Sequence, residues 1–156
     1  MIQRIQSLYL LIATVLMVVT TCTPIATILV DNREVAFLPF SIAAGGEQLA
    51  SLPIWLGILL VASAALPFVT IFLYKRRQLQ IRLCGVEVVL LLGDILLEAL
   101  YIYILCNDIF QNITWSHLML SFGGVVCPIV SIILVLLAMR AIFRDELLVR
   151  AADRIR

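Results

Sequence analysis

The chain has 156 residues, 63% of them hydrophobic and 13% charged, with a formal net charge of +1. Soluble domains run at about 45–50% apolar and 25% charged, so this composition excludes an ordinary water-soluble domain and points to one whose solvent is hydrocarbon. The near-zero net charge supplies no global field for nucleic acid, and what matters is where the charges sit.

A membrane-crossing helix needs about 20 mostly apolar residues to cover roughly 30 Å of hydrocarbon. The first stretch that meets this is 8–30, preceded by Arg4. It is longer than the apolar run of about 7–15 residues in a signal peptide, and no small-residue cleavage site follows, so it reads as a retained span. Thr20, Thr21 and Thr23 precede Pro24, where their hydroxyls can bond back to helix carbonyls.

Residues 31–53 carry Asp31, Asn32, Arg33, Glu34, two prolines and the Gly45-Gly46 pair, which is loop chemistry. Within this loop, 35–42 reads as a short strand or an interfacial segment.

The second span covers 54–74, and a short turn over 75–85 makes the second and third helices antiparallel neighbours. The third span covers 86–105 and the fourth 118–139, separated by a polar loop at 106–117. Trp55, Tyr103 and Trp115 fall near span ends, where aromatic belts form. Pro67 and Pro128 are candidate kink sites. The tail 140–156 continues as a helix, with Leu147, Leu148, Ala151 and Ile155 on one face and Glu146 and Arg150 spaced for an ion pair. The fold expected is an all-α, left-handed antiparallel four-helix transmembrane bundle forming one domain over 1–156.

Orientation follows from the cations. Arg4, Lys75, Arg76, Arg77, Arg82, Arg140, Arg144, Arg150, Arg154 and Arg156 flank one side of the four spans, and of the eleven only Arg33 lies on the other. Positive flanks mark the cytoplasm, so both termini of a multi-pass membrane protein are expected on that side. The tail holds more arginine than topology requires, which makes it a candidate docking surface for anionic headgroups or another protein.

Ionisable residues within a span are the usual functional signal, because each costs at least about 2.5–3.5 kcal/mol at mid-membrane on insertion scales. Glu87, Asp94 and Glu98 lie on one narrow arc of the third helix, extended by Tyr101. Glu87 is near the cytoplasmic end and can snorkel or pair with Arg82. Asp94 has no cation at its depth, so it must be protonated, face internal water, bond to Ser63, Thr70 or Ser131, or meet a partner. The plain structural reading makes the acids interhelical hydrogen-bonding glue. The functional one makes them a proton or cation path, or a partner-binding face.

Gly123, Cys127 and Ser131 form a small-residue ridge on the fourth helix, a packing motif more naturally placed inside the bundle than between protomers. Cys22, Cys84, Cys106 and Cys127 show no metal-ligand spacing. A Cys22–Cys106 disulfide is conceivable, though small buried thiols are the simpler reading. His117 is the single histidine, and no motif of a hydrolase, nucleotide-binding protein or metalloenzyme is present, so neither enzymatic activity nor a cofactor or metal is expected.

The opening MIQRIQSLYL at 1–10, the turn YKRRQLQIRLC at 74–84 and the tail RAIFRDELLVRAADRIR at 140–156 together resemble a domain-of-unknown-function family of small four-span inner-membrane proteins from Bacteroidetes. The resemblance covers the whole chain and implies a bacterial inner membrane and a four-span layout, with no activity attached. The leading expectation is a non-enzymatic accessory or assembly subunit, with membrane lipids, a membrane-protein partner or a second copy as its contacts. The alternative is a small transporter or proton-linked channel using the acidic stripe.

Overall fold

The computed structural model describes residues 2–30, 33–44, 47–50, 54–73, 76–106 and 118–153. Helix α1 spans Ile2–Cys22, followed by strands β1 (Ala26–Val30), β2 (Arg33–Phe37), β3 (Ile42–Ala44) and β4 (Glu47–Ala50). Helices α2 (Ile54–Phe72) and α3 (Arg77–Ile104) come next, then β5 (Leu118–Leu120) and α4 (Phe122–Asp153).

The helical expectation stands for these four helices, while the segment after α1 is sheet. The apolar run 8–30 is not one span, because the helix stops at Cys22 and 26–30 is β1. Pro24 lacks an N–H and disfavours helical backbone at Thr23, whose own N–H makes the closing bond to Val19 O at 3.0 Å. Beyond the proline, Ile25, Thr27, Ile28 and Val30 favour extended backbone.

The start of the fourth apolar stretch is likewise divided: 118–120 is β5 and α4 begins at Phe122. There the Ser121 carbonyl accepts from the Val125 N–H at 3.2 Å, which places serine at a favoured helix-capping position.

The strands form one antiparallel sheet in the order β4-β3-β2-β1-β5. Segment 35–42, read as one short strand, instead spans most of β2, a reversal closed by Leu38 N to Ser41 O at 2.9 Å, and the start of β3. Pairing of β1 with β5 draws the α3–α4 connection onto the α1–α2 connection. The sheet therefore caps one end of the helices, which alternate in direction, and the α2–α3 turn lies at the other.

Helix α1 packs against α2 and α4, and α3 packs against the same two. Each helix buries a seam at alternating three- and four-residue spacing: Gln6, Leu10, Ala13, Met17 and Thr20 on α1; Leu56, Leu60, Ser63, Pro67 and Thr70 on α2. That spacing is the 3.5-residue period of left-handed helix packing. Pro67 and Pro128 lie within continuous helices.

Two close approaches join the sheet to the helices. A β-carbon on Gly124 would meet the Ile25 backbone, and one on Gly57 would meet the Phe40 ring. Phe40 is partly exposed and its side chain can swing away, whereas the Ile25 backbone is held in the sheet. Gly124→Ala should therefore lower stability by about 1–3 kcal/mol and Gly57→Ala by distinctly less. Paired melting curves in detergent check this, and equal shifts would refute the distinction.

Candidate functional site

On α3 the buried seam runs Gln80, Cys84, Glu87, Leu91, Asp94, Glu98 and Ile102, in steps of four and three that alternate as far as Glu98. The three acids thus occupy positions that leucine fills elsewhere on the same seam. Glu87, Asp94 and Glu98 are 1%, 0% and 4% exposed. The opposite face of α3 is Val86, Val89, Leu92, Leu96 and Leu100, all exposed, with Leu96 at 71%. Polar side chains point inward and apolar ones outward, the reverse of a water-soluble helix.

Both carboxylate oxygens of Glu87, both of Asp94 and Oε1 of Glu98 have no hydrogen-bond partner among the described residues. Three of the partners that the sequence offers Asp94 are engaged or apart. Ser63 donates to Leu60 O at 3.0 Å and lies close enough to Asp94 to act on its carboxyl, Thr70 donates to Leu66 O at 2.8 Å, and the Ser131 Oγ is itself unpartnered. Of the two options for Glu87, snorkelling and pairing with Arg82, the structure shows neither. Five residues of helix turn Arg82 to the exposed face while Glu87 points into the core. Tyr101 continues the stripe half-buried, its ring 6.2 Å from that of Phe37 at 41°.

Two polar members escaped the sequence reading. Gln6 is buried on the α1 seam with its Nε2 unpartnered, and Gln80 is buried on α3 with its Nε2 donating to Thr70 O at 3.0 Å. Extending the heptad spacing of Leu10, Ala13 and Met17 back by four residues would have found Gln6. The interior thus carries unpartnered polar atoms from α1, α3 and α4, in a core where buried polar groups are almost always satisfied by protein or water. Such a column places three proton-accepting carboxyls in the interior. Among the described residues no group of three metal-ligating side chains converges.

Gly123, Cys127 and Ser131 are all buried on α4. The Gly123 carbonyl accepts from Thr20 Oγ1 at 2.9 Å, and a β-carbon there would meet Thr23, so the ridge lets α4 lie close to α1 of the same chain. Thr20, Thr21 and Thr23 donate to the carbonyls of Leu16, Met17 and Val19 at 2.8–3.1 Å. All four cysteines are free thiols, with Cys22 exposed and Cys106 buried.

Arg76, Arg82, Arg140 and Arg144 are exposed at the end opposite the sheet. Arg4 lies on α1, Arg77 on α3 and Arg150 on α4, but their side chains, together with Lys75, Trp115, His117, Arg154 and the pairing of Glu146 with Arg150, fall outside the described residues. The tail is the last part of α4, which runs unbroken to Asp153.

Three helices carry stretches long and apolar enough to cross a membrane: Ile5–Cys22, Ile54–Phe72 and Phe122–Leu148. Helix α3 is 28 residues long, with the three acids on its inward side. Comparison with curated proteins finds no match. A family model described as "Domain of unknown function (DUF4293)" matches residues 2–155, nearly the whole of a chain whose helices suit a membrane, and the protein belongs to that family.

Proposed function

We propose that this chain is a four-span protein of the bacterial inner membrane, with both termini in the cytoplasm, and that the carboxyl column of α3 is the proton-handling element of a small, non-enzymatic transporter or channel. The observation that carries this reading is the inward, unpartnered acidic seam on a helix whose outward face is apolar. An outward apolar face suits lipid, so α3 serves as the fourth span despite its acids. At about 42 Å it is also long enough. A partner-binding face would turn its acids outward, and glue would have them bonded to neighbouring helices. The cytoplasmic orientation is supported by Arg76, Arg82, Arg140 and Arg144 sharing the end away from the sheet.

The accessory-subunit reading keeps one observation in its favour. The basic end also exposes Phe143, Leu147 and Leu148, an apolar surface on which another subunit can dock. Affinity purification in mild detergent separates the two: stoichiometric co-purifying chains favour the accessory role, a homogeneous preparation the transporter.

Topology has its own test. In a cysteine-free background, a single cysteine at Glu34 of β2 should label with an impermeant maleimide in intact cells, and one at Gln78 of α3 should label only after lysis. The reverse pattern would falsify the assignment of the sheet to the outside.

A further inference from the structure

Two grooves flank the last third of α4 at the basic end. One, of about 380 Å³, lies between α3 and α4 and is lined by Gln78, Ile81, Arg82, Phe143, Glu146 and Leu147. It holds one cation and one acid, and Gln78 Nε2 donates to Glu146 Oε1 at 3.3 Å across it. Its described charges balance, so they give no preference for an anion.

The other groove, of about 470 Å³, lies between α1 and α4, with Ile5, Tyr9, Leu137 and Leu148 as its mostly apolar walls and Arg140 and Arg144 as its charged groups. No acid lines it. The two arginines are one helical turn apart and exposed. At about 5–6 Å between their β-carbons, the pair is spaced to hold one phosphodiester between two guanidiniums. Arg140 and Arg144 also fall in the last turns of the apolar stretch that ends at Leu148, where a spanning helix meets the headgroup layer.

We infer that this α1–α4 groove binds an anionic phospholipid of the cytoplasmic leaflet, its phosphate on Arg140 and Arg144 and an acyl chain along Ile5 and Leu137. A zwitterionic lipid brings its own ammonium group to the two guanidiniums and loses the charge match, which makes the site selective for net negative headgroups. The inference rests on the membrane-spanning reading and is independent of the proton column.

The test is native mass spectrometry of protein released from nanodiscs of mixed phosphatidylglycerol and phosphatidylcholine. The wild type should retain phosphatidylglycerol in preference. R140Q/R144Q should lower that retention by about thirtyfold, two cations each contributing the usual membrane-surface attraction. R82Q, in the neutral groove, should leave it unchanged, and R140K/R144K should recover part of it and show that the fold survives substitution there. If R140Q/R144Q does not assemble, the single variants R140Q and R144Q carry the measurement, each with a loss of about fivefold. Equal retention by wild type and glutamine variants, an equal loss in R82Q, or no headgroup preference in the wild type would each overturn the site. Failure of the membrane reading gives a different result: protein recovered in the soluble fraction, with no nanodisc formed around it.

Discussion

Asp94→Asn is expected to abolish function while leaving the protein as stable as the wild type. The carboxyl is fully buried between helices, neither oxygen completes a hydrogen bond of good geometry among the described residues, and Ser63 is its polar neighbour. An amide of the same shape keeps the volume and any polar contact to internal water but cannot take up or release a proton. If the α3 column passes protons, transfer through this position stops, and proton movement into proteoliposomes should fall by about a hundredfold or more. Melting temperature in detergent should hold, because the amide matches the carboxyl in volume and opens no cavity. Infrared difference spectra give a second readout, since a carboxyl that exchanges protons shows a carbonyl band sensitive to heavy water, which Asp94→Asn should remove. Full complementation of a deletion strain by Asp94→Asn, with unchanged proton movement, would end the proton-path reading of this residue. A lowered melting temperature with lost function would instead return it to structural glue.

The acidic stripe was legible because it is periodic. Steps of seven and four residues keep Glu87, Asp94 and Glu98 on one arc of any helix, so their sharing a face needed no coordinates. Which way the arc points was not legible. An arc of acids is chemically self-consistent whether it faces a partner or the interior, and only the seams of α1, α2 and α4, meeting it at the same depths, place it inside. Pairing of Glu87 with Arg82 is excluded on the same ground: closeness along the chain is not closeness in space, and five residues of helix put the two side chains on different faces.

The sheet was the larger omission. Hydropathy averages over a window and runs straight through Pro24, so an apolar strand following an apolar helix reads as one long span. The break signal was present as a proline followed by β-branched residues. The pairing of β1 with β5 is a contact between positions about 90 residues apart, and neither segment declares its partner locally. Helix existence and the clustering of cations at one end rest on local composition and were readable throughout.

Phe37→Ala should produce the largest loss of stability among single substitutions in the cap. Phe37 is 1% exposed, the largest of the fully buried side chains, and sits on β2 between its pairing partners Ala26 and Ile42. Its ring contacts Tyr101 of α3, and its carbonyl accepts from the Ile25 N–H at 2.8 Å, so one residue links the sheet to α3 and to the start of β1. Truncating a buried phenylalanine to alanine costs about 3–5 kcal/mol, which corresponds to a fall in melting temperature of about 10 °C for a chain of this size. The loss should begin locally. Cys106 lies buried just past the end of α3, beside the cap, and burial pushes its thiol up, so it reacts slowly in the folded protein. In Phe37→Ala it should label with a neutral thiol reagent well below the melting temperature, while Cys84, buried near the opposite end of α3, should stay protected until global unfolding. Simultaneous exposure of both thiols would show that the cap and the helices unfold as one unit, and unchanged labelling of Cys106 would show that Phe37 does not hold the cap to α3.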